Sequence, residues 1–535
     1  MVRLVAIFAL IFSVISGSYA GELSFSAALG TIQVDQVKQH VDILADDSFE
    51  GREAGSRGGR AAGNYLVGLM KEYGLEPAGD RNTYFQAFHQ QRFRNIIGIL
   101  PGSDPELKDE VIMIGAHYDH VGYGNKTNSY GPFGYVHNGA DDNASGTSGL
   151  LEIIQAFTSM EQAPRRTIAF AFWDGEEKGL LGSKHWVSQP TLKLDHIKFY
   201  MNIDMIGRLR NEQVEVFGTR TSYGLRQAIS YANESENLVL DISWKMKSDS
   251  DHHTFYQKNI PVMMLHTGLH KDYHRPQDDA HLINNEGIQS LAKVMFRFNW
   301  VLANQDESLA FRKQARFDNP TTKKRFETTN QTRKSRIGIS WNAKEEEKPG
   351  VVITRVAYQS PADKAGIRTG DRLMEFAGIP VGDVEQFLIN VQASAKQTSV
   401  AVERQGEEEI LILPITLAEK PTPIGFSWQV DTADPSMVML TNVVSGSLAS
   451  VSGLKPIDRV YSVNGKNFST SQEFYDLVTQ FGDSLELKIE RNGRIHSVEL
   501  ETSRLKEILS ANDDTEIETS LNKINEVQDF NLVEV

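Results

Sequence analysis

Six short apolar runs, at 95–100, 111–114, 167–172, 197–203, 214–217 and 261–265, punctuate the first part of this chain. Each has strand length, and in most of them the apolar residues follow one another without the alternation of a sheet wetted on one side. Strands apolar on both faces must be covered on both faces. Helical patterns at 150–157 and 287–300 intervene or flank. The expected fold is therefore α/β, a mostly parallel central sheet flanked by helices, ending near residue 305. Upstream, residues 21–94 read as helices joined by loops. Val34, Val37, Val41 and Leu44 recur at helical spacing, 61–70 behaves alike, and Gly51-Arg52-Glu53 and Gly58-Gly59 mark flexible turns.

With 535 residues the chain is long for one core. Its formal charge of −15 argues against a nucleic-acid surface as its main function. It has no cysteine, which excludes disulfides, thiolate catalysis and cysteine metal sites. Any metal must be held by His, Asp and Glu. At the N-terminus, Arg3, the apolar run 4–15 and Ser18-Tyr19-Ala20 read as a signal peptide over 1–20. The run is shorter than a bilayer span. The expectation is export, to the periplasm or beyond, with no membrane span after signal removal.

A second pattern governs the C-terminal part. Ile337-Gly338-Ile339-Ser340 returns as Ile424-Gly425-Phe426-Ser427, the stretch 365–373 returns as 452–460, and Gly378 returns as Gly465. Each pair lies 87 residues apart, the signature of an internal repeat. Each copy has short β-rich runs and a helix, at 361–365 in the first and at 471–480, longer, in the second. The second copy departs in one place, where Gly370 of the first is replaced by Ile457. Residues 306–335, rich in Lys and Arg from Lys323 to Arg333, read as a solvated linker, and 505–535 as a polar, acidic tail.

Chemistry concentrates where the apolar runs end. His117 closes one run, and Asp119, two residues on, is placed to accept a hydrogen bond from its second imidazole nitrogen. His120 reads as an ordinary loop residue. Asp141-Asp142 sit on a turn of small residues, where two carboxylates repel unless a cation offsets them, and spacing alone leaves open which one faces it. Glu176-Glu177 follow the run ending near Trp173, so one carboxylate can bind a metal while its neighbour accepts a proton. Asp204 ends another run, where a lone charge is costly unless paired or metal-bound. His274 follows the last run, in a loop stiffened by Pro276. In open α/β folds this edge of the sheet binds ligands.

These motifs, His117-Tyr118-Asp119, 139–146, Glu176-Glu177, Asn202-Ile203-Asp204 and Tyr273-His274-Arg275-Pro276, resemble those of the M28 family of di-zinc aminopeptidases, over roughly residues 35–300. The resemblance implies a phosphorylase/hydrolase-like zinc aminopeptidase fold and two Zn2+ ions per chain, a ligand set that Mn2+ or Co2+ would also suit. It implies that Asp142 bridges the ions, followed by a cis peptide bond to Asn143. Zinc one would take Asp142, Glu177 and His274, and zinc two His117, Asp142 and Asp204. Glu176 would be the general base and Asp119 would orient His117. Peptide or protein substrates would be cut beside a free α-amine, for whose recognition Tyr118 and Tyr273 are candidates. Glutaminyl cyclases share this fold with one zinc and acyl transfer, and a non-catalytic peptide-binding scaffold is a further alternative.

The repeats resemble PDZ domains of exported bacterial proteases. Ile337, Gly338, Ile339 and Ser340, and Ile424, Gly425, Phe426 and Ser427, would be the carboxylate-binding loops for a C-terminal tail or exposed strand. The expected division is a signal peptide at 1–20, a peptidase domain at 21–305, a linker at 306–335, PDZ domains at 336–420 and 421–504, and the tail at 505–535.

Overall fold

The computed structural model describes residues 19–329, 335–342, 348–480, 482–505 and 508. The expected signal peptide up to residue 18, Arg333 of the expected linker and the tail beyond 508 lie outside them. The chain forms two compact units, the first comprising residues up to Phe326 with 432–435 and 492–495, the second the remainder.

The first unit is built on a nine-stranded sheet. Its strands are β1 (Glu76–Pro77), β2 (Phe85–Phe88), β3 (Phe93–Leu100), β4 (Val111–His117), β5 (Thr167–Trp173), β6 (Ile197–Ile203), β7 (Gln213–Phe217), β8 (Val239–Ser243) and β9 (Val262–His266). They run in the order β1-β3-β5-β4-β6-β9-β7-β8, with β2 also paired to β3. The central β5-β4-β6-β9 pairs are parallel, as is β7-β8. The pairs β3-β5 and β7-β9 are antiparallel, so the sheet is mixed around a parallel centre.

Both faces are covered, as continuous apolar strands require. Along β4, Ile112, Ile114 and Ala116 enter one core and Val111 and Met113 the other. Along β5, Ile168, Phe170 and Phe172 alternate in the same way with Ala169, Ala171 and Trp173. The first core is closed by helices Val34–Leu44, Gly146–Thr158 and Asn285–Asn304. In the second, the Tyr200 and Phe255 rings stack 3.9 Å apart beside Trp173 and Trp186. Burying each such side chain is worth about 2 kcal/mol, and the ends of the central strands are thereby held rigid.

The fold does not stop at 305. Residues expected to be solvated linker continue through a short turn, Lys313–Arg316, into a helix, Pro320–Phe326. Arg312 is buried and donates to Asp318 Oδ2 at 2.6 Å and to the Arg220 carbonyl at 3.3 Å. A charged segment can pack when its charges are partnered within the fold.

In the second unit the repeat extends to whole elements. The first copy has β10 (Ile339–Trp341), β11 (Val351–Val356), β12 (Arg372–Phe376), β13 (Ile379–Pro380), β14 (Gln397–Glu403) and β15 (Leu411–Thr416). The second has β16 (Phe426–Asp431), β17 (Asp434–Val443), β18 (Arg459–Val463), β19 (Leu485–Arg491) and β20 (Arg494–Leu500). Arg404 grips Asp371 with two contacts of 2.8 Å, and Arg491 grips Asp458 with two of 2.7 Å, again 87 residues on. Both copies contain two helices, where one each was expected: Pro361–Lys364 and Val384–Ala393, then Leu448–Val451 and Ser471–Thr479. Ile457 keeps the turn of Gly370, with φ +76 against +94.

Candidate metal centre

The ends of the parallel strands deliver the polar residues to one place. His117 is the last residue of β4, and Asp119 and His120 follow it. Asp142 lies in the turn before helix Gly146–Thr158, and its peptide bond to Asn143 is cis, as the resemblance implied. Glu176 and Glu177 follow β5 through a turn at Gly175, whose φ of +76 suits glycine. Asp204 follows β6. His274 sits in the loop after β9 with φ +50, a left-handed conformation that costs a non-glycine residue roughly 1 kcal/mol or more.

Two groups of ligand atoms form, each with its members within 4.8 Å of one another: His120, Asp142, Glu177 and His274, and His117, Asp142 and Asp204. Asp142 belongs to both. Its Oδ1 lies 3.4 Å from His117 Nε2, and its Oδ2 lies 3.0 Å from His274 Nε2. Asp204 Oδ1 is 3.3 Å from His117 Nε2, and Glu177 Oε2 is 3.1 Å from His274 Nε2. Asp141 turns away: its Oδ1 accepts from Gly207 N at 2.6 Å, and its Oδ2 lies 3.1 Å from His270 Nε2.

Several residues depart from expectation. His120 is buried, with Nδ1 2.9 Å from Glu177 Oε1, and is no ordinary loop residue. Asp119 reaches His117 Nδ1 chiefly through its backbone carbonyl at 3.2 Å, its carboxylate being 3.9 Å away. That carboxylate instead accepts from Glu176 N at 3.0 Å. The Tyr118 hydroxyl donates to the Arg94 carbonyl at 2.9 Å inside the apolar core, which removes it from amine recognition. The Tyr273 ring stacks on His274 at 3.9 Å. Sequence reading overlooked Asp278, whose Oδ2 accepts from both Asp141 N and Asp142 N, at 2.9 and 3.1 Å. It also overlooked Asp251, fully buried and pushed up to about 6 by that burial. Asp251 sits beside a helix start, where an aspartate signals only a cap.

The electrostatics call for added positive charge. Burial alone would push the His274 imidazole down, yet hydrogen bonds to Asp142 and Glu177 carry it up to about 11. His117 is likewise raised despite its burial, chiefly by the Asp204 charge. Burial would lift Glu177, but hydrogen bonds from His120 and His274 hold it well below the usual carboxylate range. Glu176 has no such support, and burial drives it well above that range. A pocket of carboxylates and imidazoles with one shared carboxylate, no thiolate and a need for cationic charge fits divalent metal of borderline softness.

In the second unit, the two glycine loops have one geometry. Gly338 and Gly425 have φ +80 and +89, and a Cβ at either would strike Ser360 or its counterpart Ser447. Ala362 N donates to the Ile337 carbonyl at 3.0 Å, and Ala449 N to the Ile424 carbonyl at 2.9 Å.

Residues 95–299 match the sequence model of peptidase family M28, and residues 335–414 that of the PDZ domain. Aminopeptidase YwaD of Bacillus subtilis (strain 168) is 30% identical over 251 residues, 44% of this chain and 51% of that protein. Leupeptin-inactivating enzyme 1 of Streptomyces exfoliatus is 28% identical over 243 residues, 44% of this chain and 50% of that protein. The chain thus spans about half the length of these curated relatives. Among solved structures, the LapA aminopeptidase of Legionella pneumophila is similar over 54% of this chain and 76% of its own, with a TM-score of 0.45 and 23% identity.

Proposed function

We propose that this chain, which carries a peptidase family M28 domain at 95–299 and a PDZ domain at 335–414, is a zinc-dependent aminopeptidase that removes N-terminal residues from peptides. The observation that carries this reading is Asp142, one carboxylate shared by two ligand groups at the ends of four parallel strands. Asp142, Glu177 and His274, with His120 within reach, would hold one zinc ion, and His117, Asp142 and Asp204 the other. Bound there, zinc supplies Lewis acidity to a peptide carbonyl and acidifies water.

The protein's own groups do the rest. Glu176 is the general base: it takes a proton from the attacking water and passes it to the departing amine. Asp119 holds the Glu176 backbone and the His117 loop together, so base and ligand keep a fixed spacing. The second repeat copies the elements and the loop of the first and is assigned the same PDZ role. Both would hold a C-terminal tail or an extended strand by β-augmentation. The N-terminal apolar run supports action outside the cytoplasm.

The test is Glu176→Gln. The amide keeps size and loses the proton acceptor. Zinc content by elemental analysis should stay at two per chain, while kcat on aminoacyl amides falls by about 10²–10⁴-fold. Unchanged turnover removes Glu176 as base. One zinc per wild-type chain, with cyclisation of N-terminal glutamine, would favour the acyltransferase alternative.

A further inference from the structure

The turn at Gly51-Arg52-Glu53 precedes the span matched to the peptidase family by some forty residues, and its composition predicts flexibility. It is instead a tightly held knot. Glu50, Gly51 and Arg52 all have positive φ, at +51, +66 and +46. A Cβ on Gly51 would come within 2.5 Å of the His137 carbonyl and 2.6 Å of the Gly122 carbonyl. The Arg52 side chain is 1% exposed, yet each hydrogen bond it makes goes to a backbone carbonyl. Its Nε donates to Tyr118 at 3.0 Å, Nη1 to Leu44 at 2.5 Å and Asn138 at 2.6 Å, and Nη2 to Gly139 at 2.9 Å.

Those acceptors are well chosen. Tyr118 lies between His117 and Asp119, and Gly139 opens the turn that carries Asp142. The backbone adds to the grip, with His120 N donating to the Arg52 carbonyl at 3.2 Å and Gly122 N to the Gly51 carbonyl at 3.1 Å. Glu53 Oε1 accepts from Lys178 Nζ at 2.8 Å, next to Glu177 in sequence. One turn therefore touches all three loops that supply the base and most of the ligands. A buried guanidinium costs several kcal/mol unless its donors are used, and a planar fork fixes directions that an ammonium cannot.

We propose that Arg52 is a positioning residue of the metal centre: its guanidinium sets the spacing between the His117–His120 loop and the Asp142 turn, while Glu53 steadies the Glu176-Glu177 loop through Lys178. The proposal rests on the metallopeptidase reading above. Arg52→Lys keeps the charge and loses the fork, so it separates geometry from charge. In the full-length protein, we expect zinc-saturated Arg52→Lys to keep wild-type circular dichroism while its zinc affinity, measured by competition with a chelating dye, falls about 10–100-fold. The loss should appear in kcat with KM little changed. A zinc affinity and kcat equal to wild type would overturn the proposal.

If Arg52→Lys does not fold, Lys178→Met decides. That side chain is 28% exposed, and its ion pair contributes little stability. A lowered kcat with zinc content kept supports the clamp, and wild-type kcat removes it. Wild-type protein that neither binds zinc nor cleaves peptides would defeat the functional reading itself, whereas failure of the variants alone to differ from an active wild type defeats only the clamp.

Discussion

Glu152 shows how burial sets the behaviour of a single residue. It is fully buried in helix Gly146–Thr158, with Oε2 accepting from Gln33 N at 3.0 Å and His40 Nε2 3.7 Å from Oε1. Burial pushes its carboxyl from an ordinary 4.5 up to about 7 and holds the His40 imidazole down at about 4, so no imidazolium offsets it at neutral pH. The folded state thus binds the Glu152 proton more tightly than the unfolded chain does. From this group, stability falls as pH rises from about 4.5 to about 7 and stays reduced above that. Glu152→Gln, which keeps an acceptor for Gln33, should stabilise the first unit at pH 8 by about 1–3 kcal/mol and by almost nothing at pH 4.5. Equal urea midpoint shifts at both pH values would contradict this. The same contrast explains what the sequence disclosed. His117, Asp142, Glu177, Asp204 and His274 stand out because each is polar next to an apolar run or a small-residue turn. His120, Arg52 and Asp251 do not, because a polar residue in a polar context carries no mark of the burial that tertiary packing imposes.

At the scale of elements, legibility follows burial pattern. The central strands read clearly, since β4, β5 and β9 are buried at every residue. Strand β8, at the sheet edge, buries only Leu240 and Ile242, with the exposed Asp241 between them, so its apolar run is broken. Helix Val384–Ala393 escaped for the opposite reason. Its Phe387 and Val391 enter one repeat's core and Ile389 and Ala393 the other's, so no single stripe marks it. Its counterpart Ser471–Thr479 buries only Phe474 and Val478, four residues apart, a pattern that sequence reading recognises. The turn before β12 offers a test of backbone conformation alone. Gly370 has φ +94, and a Cβ added there would meet nothing within 4 Å, so Gly370→Ala causes no clash. The cost is the left-handed conformation itself, about 1–2 kcal/mol. A lower urea midpoint for the second unit, at unchanged m-value, is expected. No shift would mean that the turn relaxes, although Ile457 holds φ +76 at the matching place.

For the whole molecule, the division into two compact units makes zinc a selective stabiliser. Every residue of the two ligand groups lies in the first unit, and among the described residues the second contributes none. A ligand that binds only the native state stabilises by RT ln(1 + [L]/Kd), about 4 kcal/mol at a thousandfold excess over Kd. For a unit of this size that corresponds to a rise in melting temperature on the order of 10 °C. Calorimetry of the full chain should show the first unit's transition rising on zinc addition and falling on chelation, with the transition of the repeats unmoved. The effect must also depend on pH. Carboxylates hold protons on His274, at about 11, and on His117, and zinc must displace them. Zinc affinity should therefore rise with pH, and calorimetric titration near pH 7 in buffers of different ionisation enthalpy should show proton release. Binding without proton release would place the metal on other groups, and a zinc-dependent shift confined to the repeats would move it out of the first unit altogether.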